Sequence, residues 1–274
     1  MELDDREFSD IHRFFLQGFM SRPLMTMDEA KQLLSDCSQL ADRRDVVLSV
    51  LINDINFQLR RQADMEIKRG LHPVSGEECY TMVNMCDDEA SKLSTAYSPA
   101  EVAFFKRLVE LIVTDDDTDG PFLLSSTTAL SQTSRIKPTM QKQEAEQFLK
   151  QLEVQHWIID INGKLSLGLR TLLELGPYLR DTFEDSITEC SSCLQILTNR
   201  VEICSNKDCD VLLHSFCAAK IFESAKNPRC YKCQSPWQET CSVRPKRKQL
   251  IQDDDSNDDD IPLQRQTRAS IKKK

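Results

Sequence analysis

Glycine is scarce in this sequence, seven residues among 274, and nowhere do the glycines cluster as they do in loops that cradle phosphate. Nucleotide-handling chemistry of that kind is excluded. Histidine is scarcer, at four, and His12, His72 and His156 stand far apart in the chain, which reads as surface or packed residues and not as a general-base pair. No apolar run approaches the eighteen or so residues that a membrane span requires. The opening MELDDREFSD has neither the basic start nor the apolar stretch of a secretory signal, so an intracellular protein without a membrane segment is expected. A basic surplus is missing as well. The net charge is -9, and residues 244–274 hold nine Lys and Arg against six Asp, which leaves a body at -12. Such a body repels a phosphate backbone over most of its surface, so DNA contact is expected to be indirect, local or shared with a partner.

Cysteine is abundant but uneven. Cys37, Cys79 and Cys86 are the only three in the first 189 residues, and eight fall between Cys190 and Cys241. In a reducing compartment a cluster of this kind reads as metal ligation before disulfides. The spacing is Cys190-x2-Cys193-x10-Cys204-x4-Cys209-x4-His214-x2-Cys217-x12-Cys230-x2-Cys233. Eight donors complete two tetrahedral zinc sites and leave no open position for a substrate. The order, four Cys, one His and three Cys, fits a cross-brace. Cys190, Cys193, His214 and Cys217 would hold one ion, and Cys204, Cys209, Cys230 and Cys233 the other. A segment of about 44 residues cannot bury enough apolar surface to fold alone, whereas a structural zinc contributes about 10 kcal/mol or more. Redox motifs are the lesser reading, because no strand-then-helix context surrounds the Cys-x-x-Cys pairs. Cys241 has no partner in the scheme and is expected as a free thiol.

Structural zinc moves function to the surface that the ions support. Variant RING fingers, which recruit ubiquitin-conjugating enzymes, and PHD fingers, which read histone tails, share this ligand order. The gap of four between Cys204 and Cys209 leans toward PHD. Pro228, where PHD fingers carry an aromatic, removes a wall of the cage that would hold methyl-lysine.

The N-terminal two thirds predict an α+β fold of two tandem winged-helix units, ahead of a small cross-brace RING-like unit and a disordered tail. In the first unit (1–95), Ile11, Phe14, Phe15 and Phe19 share a helical face over 8–21. Thr26 and Glu29 form a capping box, and Leu48, Leu51, Ile52, Ile55 and Leu59 line a helix over 42–61. MEIKRG and ECYTMVN then pair as a hairpin around His72, Pro73 and Gly76. The order recurs in the second unit (96–184). Ser98, Pro99 and Glu101 start a helix bearing Val102, Phe105, Leu108, Val109 and Ile112. An acidic loop, TDDDTDGP, stops it; helices near 126–133 and 139–154 come next. HWIIDINGKLSLG then folds back at Asn162-Gly163, pairing Ile158 with Leu167. A connecting helix around GLRTLLELGPYLRDTF is interrupted at Gly176 and Pro177. Arg43, Arg44, Arg60, Arg61 and Lys164 are the basic residues near the third helix and the wings, and read as solvated positions rather than a DNA-reading face.

The zinc module spans 185–241 and the tail 242–274. The tail alternates RPKRK, DDDSNDDD and IKKK, a composition with nothing to bury. RPKRK resembles a nuclear import patch, and Ser256 among six aspartates resembles an acid-directed phosphorylation site.

Two winged helices ahead of a finger of this spacing, ending CYKCQSPW with Trp237, resemble the RING-finger subunit of the SMC five/six complex, the family called non-structural maintenance of chromosomes element 1. The resemblance covers residues 1–241. It implies a MAGE-type partner, a kleisin-like partner, a nuclear, chromosome-associated role in recombinational DNA repair, and ubiquitin-ligase activity stimulated by the MAGE partner. It further implies that Leu194, Ile221 and Phe222 dock a ubiquitin-conjugating enzyme, with no catalytic side chain of the protein's own. Ser192 stands where such RINGs carry Ile, Tyr231 where Pro is common, and Gln234 where an Arg often bridges enzyme and ubiquitin. The implied activity is therefore weak without the partner. The alternatives are a non-catalytic zinc-stabilised scaffold and a histone-tail reader.

Overall fold

The computed structural model describes residues 8–43, 45–86, 97–114, 122–198 and 201–237. Mixed helix and strand surround three separate apolar cores. Cys241, Ser256, the basic run RPKRK and residues 115–121 of the acidic loop lie outside the described residues.

The first core is built by α1 (Asp10–Met20), β1 (Leu24–Thr26), α2 (Met27–Leu40), α3 (Leu48–Ala63), β2 (Met65–Leu71) and β3 (Glu78–Asn84). Helix α2 starts where its capping box predicts. The Glu29 amide donates to Thr26 Oγ1 at 3.2 Å and the Thr26 amide to Glu29 Oε2 at 2.8 Å, bonds that also hold the Glu29 carboxyl below its usual range. Helix α1 uses a less usual pair, in which the Ser9 amide donates to His12 Nδ1 at 3.2 Å. Helix α3 begins six residues later than its apolar spacing suggests. Asp42 and Asp45 have φ of 46° and 65°, and this left-handed backbone makes residues before Leu48 a turn.

The β2–β3 hairpin is flanked by β1, giving the sheet order β1-β3-β2. Strand β2 is thus an edge. Buried Asn56 of α3 covers part of it: its Nδ2 donates to Ile67 O at 2.9 Å, and the Ile67 amide donates to its Oδ1 at 2.8 Å. Those two bonds bolt α3 to the sheet over Phe15, Phe19, Met25, Leu51 and Ile55.

The second core repeats the order with α4 (Pro99–Thr114), β4 (Leu124–Ser125), α5 (Ser126–Ser131), a 3-10 turn (Gln132–Ser134), α6 (Lys142–Val154), β5 (Ile158–Ile161) and β6 (Lys164–Leu167). The hairpin turns at Asn162-Gly163, with φ of 56° and 82°, and Ile158 faces Leu167 as expected. Trp157 anchors this core. Its indole donates to Tyr97 Oη at 2.9 Å, Phe105 meets it edge-on at 5.5 Å, and the Arg170 guanidinium lies 4.2 Å over its ring.

The connecting segment is two short helices, α7 (Leu169–Glu174) and α8 (Gly176–Thr182), broken at Gly176-Pro177. Helix α7 packs against the first unit's hairpin. A Cβ at Gly70 would stand 2.8 Å from Leu169 Cδ1 and 3.0 Å from Leu173 Cδ1, so this contact requires a residue without a side chain. His72 and His156, which look unrelated in sequence, come close enough here that the charge of one bears on the other. The third core gathers around β7 (Val201–Ile203), β8 (Leu212–His214) and α9 (Ser215–Phe222), and mixes Cys190, Cys204, Cys217 and Cys230 with a few apolar residues such as Leu197, Val211, Leu213 and Trp237.

Candidate metal centre

Each Cys-x2-Cys pair sits on the same tight turn. In the first, the Leu194 amide donates to Cys190 O and the Cys190 amide to Gln195 O, both at 2.9 Å. In the second, Gln234 to Cys230 O and Cys230 to Ser235 O repeat the distances. Leu194 and Gln234 close the turns with φ of 58° and 61°, and single bridges Glu189–Ile196 and Arg229–Pro236 extend them. Between the turns lies the two-stranded ribbon that pairs Val201 with His214 and Ile203 with Leu212. The ribbon delivers Cys204 from the end of β7, and His214 from the end of β8 as N-cap of α9, one turn before Cys217.

This threading brings the eight expected residues together as two groups, Cys190, Cys193, His214 and Cys217, and Cys204, Cys209, Cys230 and Cys233. Within each group all donor atoms lie within 4.8 Å of one another. Cys193 Sγ and Cys217 Sγ are 3.4 and 3.9 Å from His214 Nδ1; Cys204 Sγ is 3.4 Å from Cys233 Sγ, and Cys209 Sγ 3.8 Å from Cys230 Sγ. A tetrahedron around an ion with metal–sulfur bonds of about 2.3 Å has edges of about 3.8 Å, and a disulfide would need about 2 Å. The separations fit a cation and not a covalent bond.

The electrostatics agree. Cys190 is drawn down to about 3, chiefly because the Cys193 thiol donates to it. Cys193 is pushed up by giving that same hydrogen bond and by burial, and burial together with the neighbouring Cys190 charge pushes Cys217 up to about 11. In the second group, hydrogen bonds from Ser235 draw Cys233 down to about 6 while burial pushes Cys204 up to about 12. In each group one thiol is thus drawn down while others are pushed up. Full ionisation of either donor set requires a positive ion, whose entry expels protons.

His214 is further constrained. Nδ1 faces the sulfurs, and Nε2 lies 3.2 Å from the Ile196 carbonyl, which fixes the Nε2–H tautomer and leaves Nδ1 free to ligate. Phe216 stacks on the same ring.

The three residues expected at the docking surface separate. Leu194 is 68% exposed and Ile221 40%, whereas Phe222 turns inward onto Trp237, with ring centroids 5.0 Å apart. Tyr231, not expected as a docking residue, is 49% exposed and its hydroxyl donates to Ser191 O at 3.3 Å, so it lies across from the Leu194 turn. Its position between Cys230 and Cys233, symmetrical with Ser191 and Ser192, is the signal in the sequence that could have found it. The basic residues make no common face. Arg60 pairs with Glu66, Arg61 lies over the Phe57 ring, and Arg44 is outside the described residues.

The chain is similar to known proteins over most of its length. The family model described as "Nse1 non-SMC component of SMC5-6 complex" matches residues 12–175. The human "Non-structural maintenance of chromosomes element 1 homolog" is 33% identical over 232 residues, 84% of each chain, and the Schizosaccharomyces pombe "Non-structural maintenance of chromosomes element 1" is 26% identical over 84% of this chain and 92% of its own. A chain in the solved structure of an "Nse1-Nse3-Nse4 complex" superposes with a TM-score of 0.70 at 27% identity, covering 88% of this chain and all of that one. The family match spans more than half of the sequence and the human relative is similar over most of both chains, so this chain belongs to the Nse1 family of SMC5-6 complex components.

Proposed function

We propose that each four-donor group holds a structural zinc ion, and that the resulting RING-type module serves as the ubiquitin-ligase element of an SMC5-6 complex. Zinc suits the sites because closed, tetrahedral sulfur and imidazole donor sets select it and offer no coordination vacancy for chemistry. The ligase reading rests on one observation: Leu194, Ile221 and Tyr231 stand exposed beside two interleaved donor groups, an apolar rim on a metal-braced frame. Such a rim docks a thioester-charged conjugating enzyme and restricts it to a reactive pose. The rate gain is then orientation, and no residue of this chain forms a covalent intermediate.

The two units before the module have the helix and strand order of winged helices and serve as docking bodies for a MAGE-type subunit and a kleisin-like subunit, a reading supported by the related solved assembly, which joins Nse1 to two further subunits, Nse3 and Nse4. The first unit's hairpin packs against Phe216 and Leu169, so its wing is not offered to DNA. Contact with DNA is accordingly made through the complex, in the nucleus, during homologous recombination and chromosome maintenance.

A scaffold-only reading is favoured by Gln234 and Ser192, which occupy positions where active RINGs carry Arg and Ile. The deciding experiment is discharge of ubiquitin from a charged conjugating enzyme, with and without the MAGE-type partner. Stimulated discharge that Leu194→Ala with Ile221→Ala abolishes, at unchanged metal content, supports the ligase. Normal assembly with no discharge leaves the scaffold.

A further inference from the structure

We infer that the hairpin of the first unit positions the rim of the metal-binding module, through two contacts in which a hairpin-facing residue shares a short element with a rim residue. The inference rests on the ligase reading only for what the rim does.

The first contact is the turn after Cys193, where three consecutive residues serve three bodies. Leu194 points to solvent. Gln195 reaches the first unit, its Oε1 accepting the Leu71 amide at 3.4 Å on the outer edge of β2. Ile196 is buried in the second unit's core, and its carbonyl faces the His214 Nε2. Leu194 is held in the left-handed region by a turn whose next two residues are fixed to both units, so its direction is set by theirs.

The second contact is α9. Its second residue, Phe216, lies on Gly76 at the hairpin tip, where a Cβ would come within 2.4 Å of Phe216 Cγ, and its seventh, Ile221, is on the rim. Phe216 stacks at 4.6 Å on His214, so the hairpin tip presses on the same ring that joins α9 to the first donor group. The second donor group has no such contact with the hairpin among the described residues. The Cys190, Cys193, His214 and Cys217 group is therefore the one through which the units and the rim are joined. A partner that shifts the hairpin relative to α7 would move Leu194 and Ile221 together. Stimulation by a subunit that never touches the conjugating enzyme acquires a physical route.

The test uses the full chain with two metal ions per molecule verified by elemental analysis. Gln195→Ala removes the acceptor, Gln195→Glu restores one, and Gly70→Val wedges the hairpin from α7 without touching the module. Amide exchange at Leu71, methyl resonances of Leu194 and Ile221, and partner-stimulated discharge are measured. Expected are exchange at Leu71 faster by about fivefold in Gln195→Ala, a shifted Leu194 methyl there, and shifts of both methyls in Gly70→Val, with reversal in Gln195→Glu. Faster Leu71 exchange with both methyls at their wild-type positions would overturn the inference, as would loss of metal in both Gln195→Ala and Gly70→Val, since the contact would then be holding the module together instead of orienting it. Shifted methyls in a wild-type background that never discharges ubiquitin leave the coupling standing and remove the ligase reading instead.

Discussion

Phe216 lies nearly flat on His214, 4.6 Å between centroids at 11°, and abuts Gly76 some 140 positions earlier in the chain. A metal-facing imidazole is thus clamped between its donor group and a hairpin tip in another unit. Gly76 has φ of 72°, so alanine there meets both backbone strain and the Phe216 ring. Gly76→Ala should lower stability by about 2–4 kcal/mol in urea denaturation. Adding Phe216→Ala should return the clash portion, visible as a coupling energy in the double-mutant cycle.

Removal of metal should act locally first. A small core in which Cys190, Cys204, Cys217 and Cys230 are interleaved with a few apolar residues keeps little burial once its donors are released, whereas the cores around Phe15 and Trp157 are built from helices and strands outside it, Ile196 apart. Chelation is expected to cost the module about 10 kcal/mol of folding free energy per ion, and His214→Ala to weaken the first group alone. Hydrogen exchange should show amides of 190–237 losing protection while those of α3 and α4 retain it.

Asn56 satisfies both the amide and the carbonyl of Ile67 in a buried setting. Asn56→Leu leaves both groups unpaired and should cost about 2–4 kcal/mol in equilibrium unfolding. Exchange at the Ile67 amide should rise in step.

The joint between the units should weaken in mild acid. Burial holds the His72 imidazole below its usual range against the pull of Glu77, and the hairpin amides of Val74 and Ser75 point at its Nδ1. His156 is lowered by burial first, then by His72 and Arg170. Both rings are depressed relative to the unfolded chain, so the folded state prefers them neutral. Their contribution is complete above about pH 6.5 and is lost as pH falls through the lower folded values. The melting temperature should drop as pH falls below about 6.5, and His72→Gln combined with His156→Gln should flatten that slope.

Local chemistry is legible from sequence and remote contact is not. Thr26 with Glu29, Ser98 with Glu101, and Asn162-Gly163 each act within four residues, and each forms as expected, the Ser98 amide donating to Glu101 Oε2 at 2.7 Å. The two candidate donor groups are legible because a tetrahedral ion would demand a fixed number of donors, which the spacing supplies, and the fold gathers them as that spacing suggests. Strands β1 and β4 escape notice because two or three residues carry no periodicity and exist only through pairing with β3, about 55 positions away, and β6, about 40 away. Apolar spacing starts α3 too early because it is blind to the left-handed turns at Asp42 and Asp45. The family resemblance in turn puts Phe222 on the docking surface, since nothing local reveals that Trp237 fills the space beside it.

Strand β2 stands at the rim of its sheet, yet Ile67 is taken on both sides by Asn56 and the Leu71 amide by Gln195. A foreign strand seeking to zip onto that border finds those rungs occupied. Sheet extension, a common route to indiscriminate self-association for an unprotected border, is closed along this stretch. At this border, contact with another protein falls to helix flanks and loops, where side-chain identity and not repetitive backbone pairing chooses the neighbour.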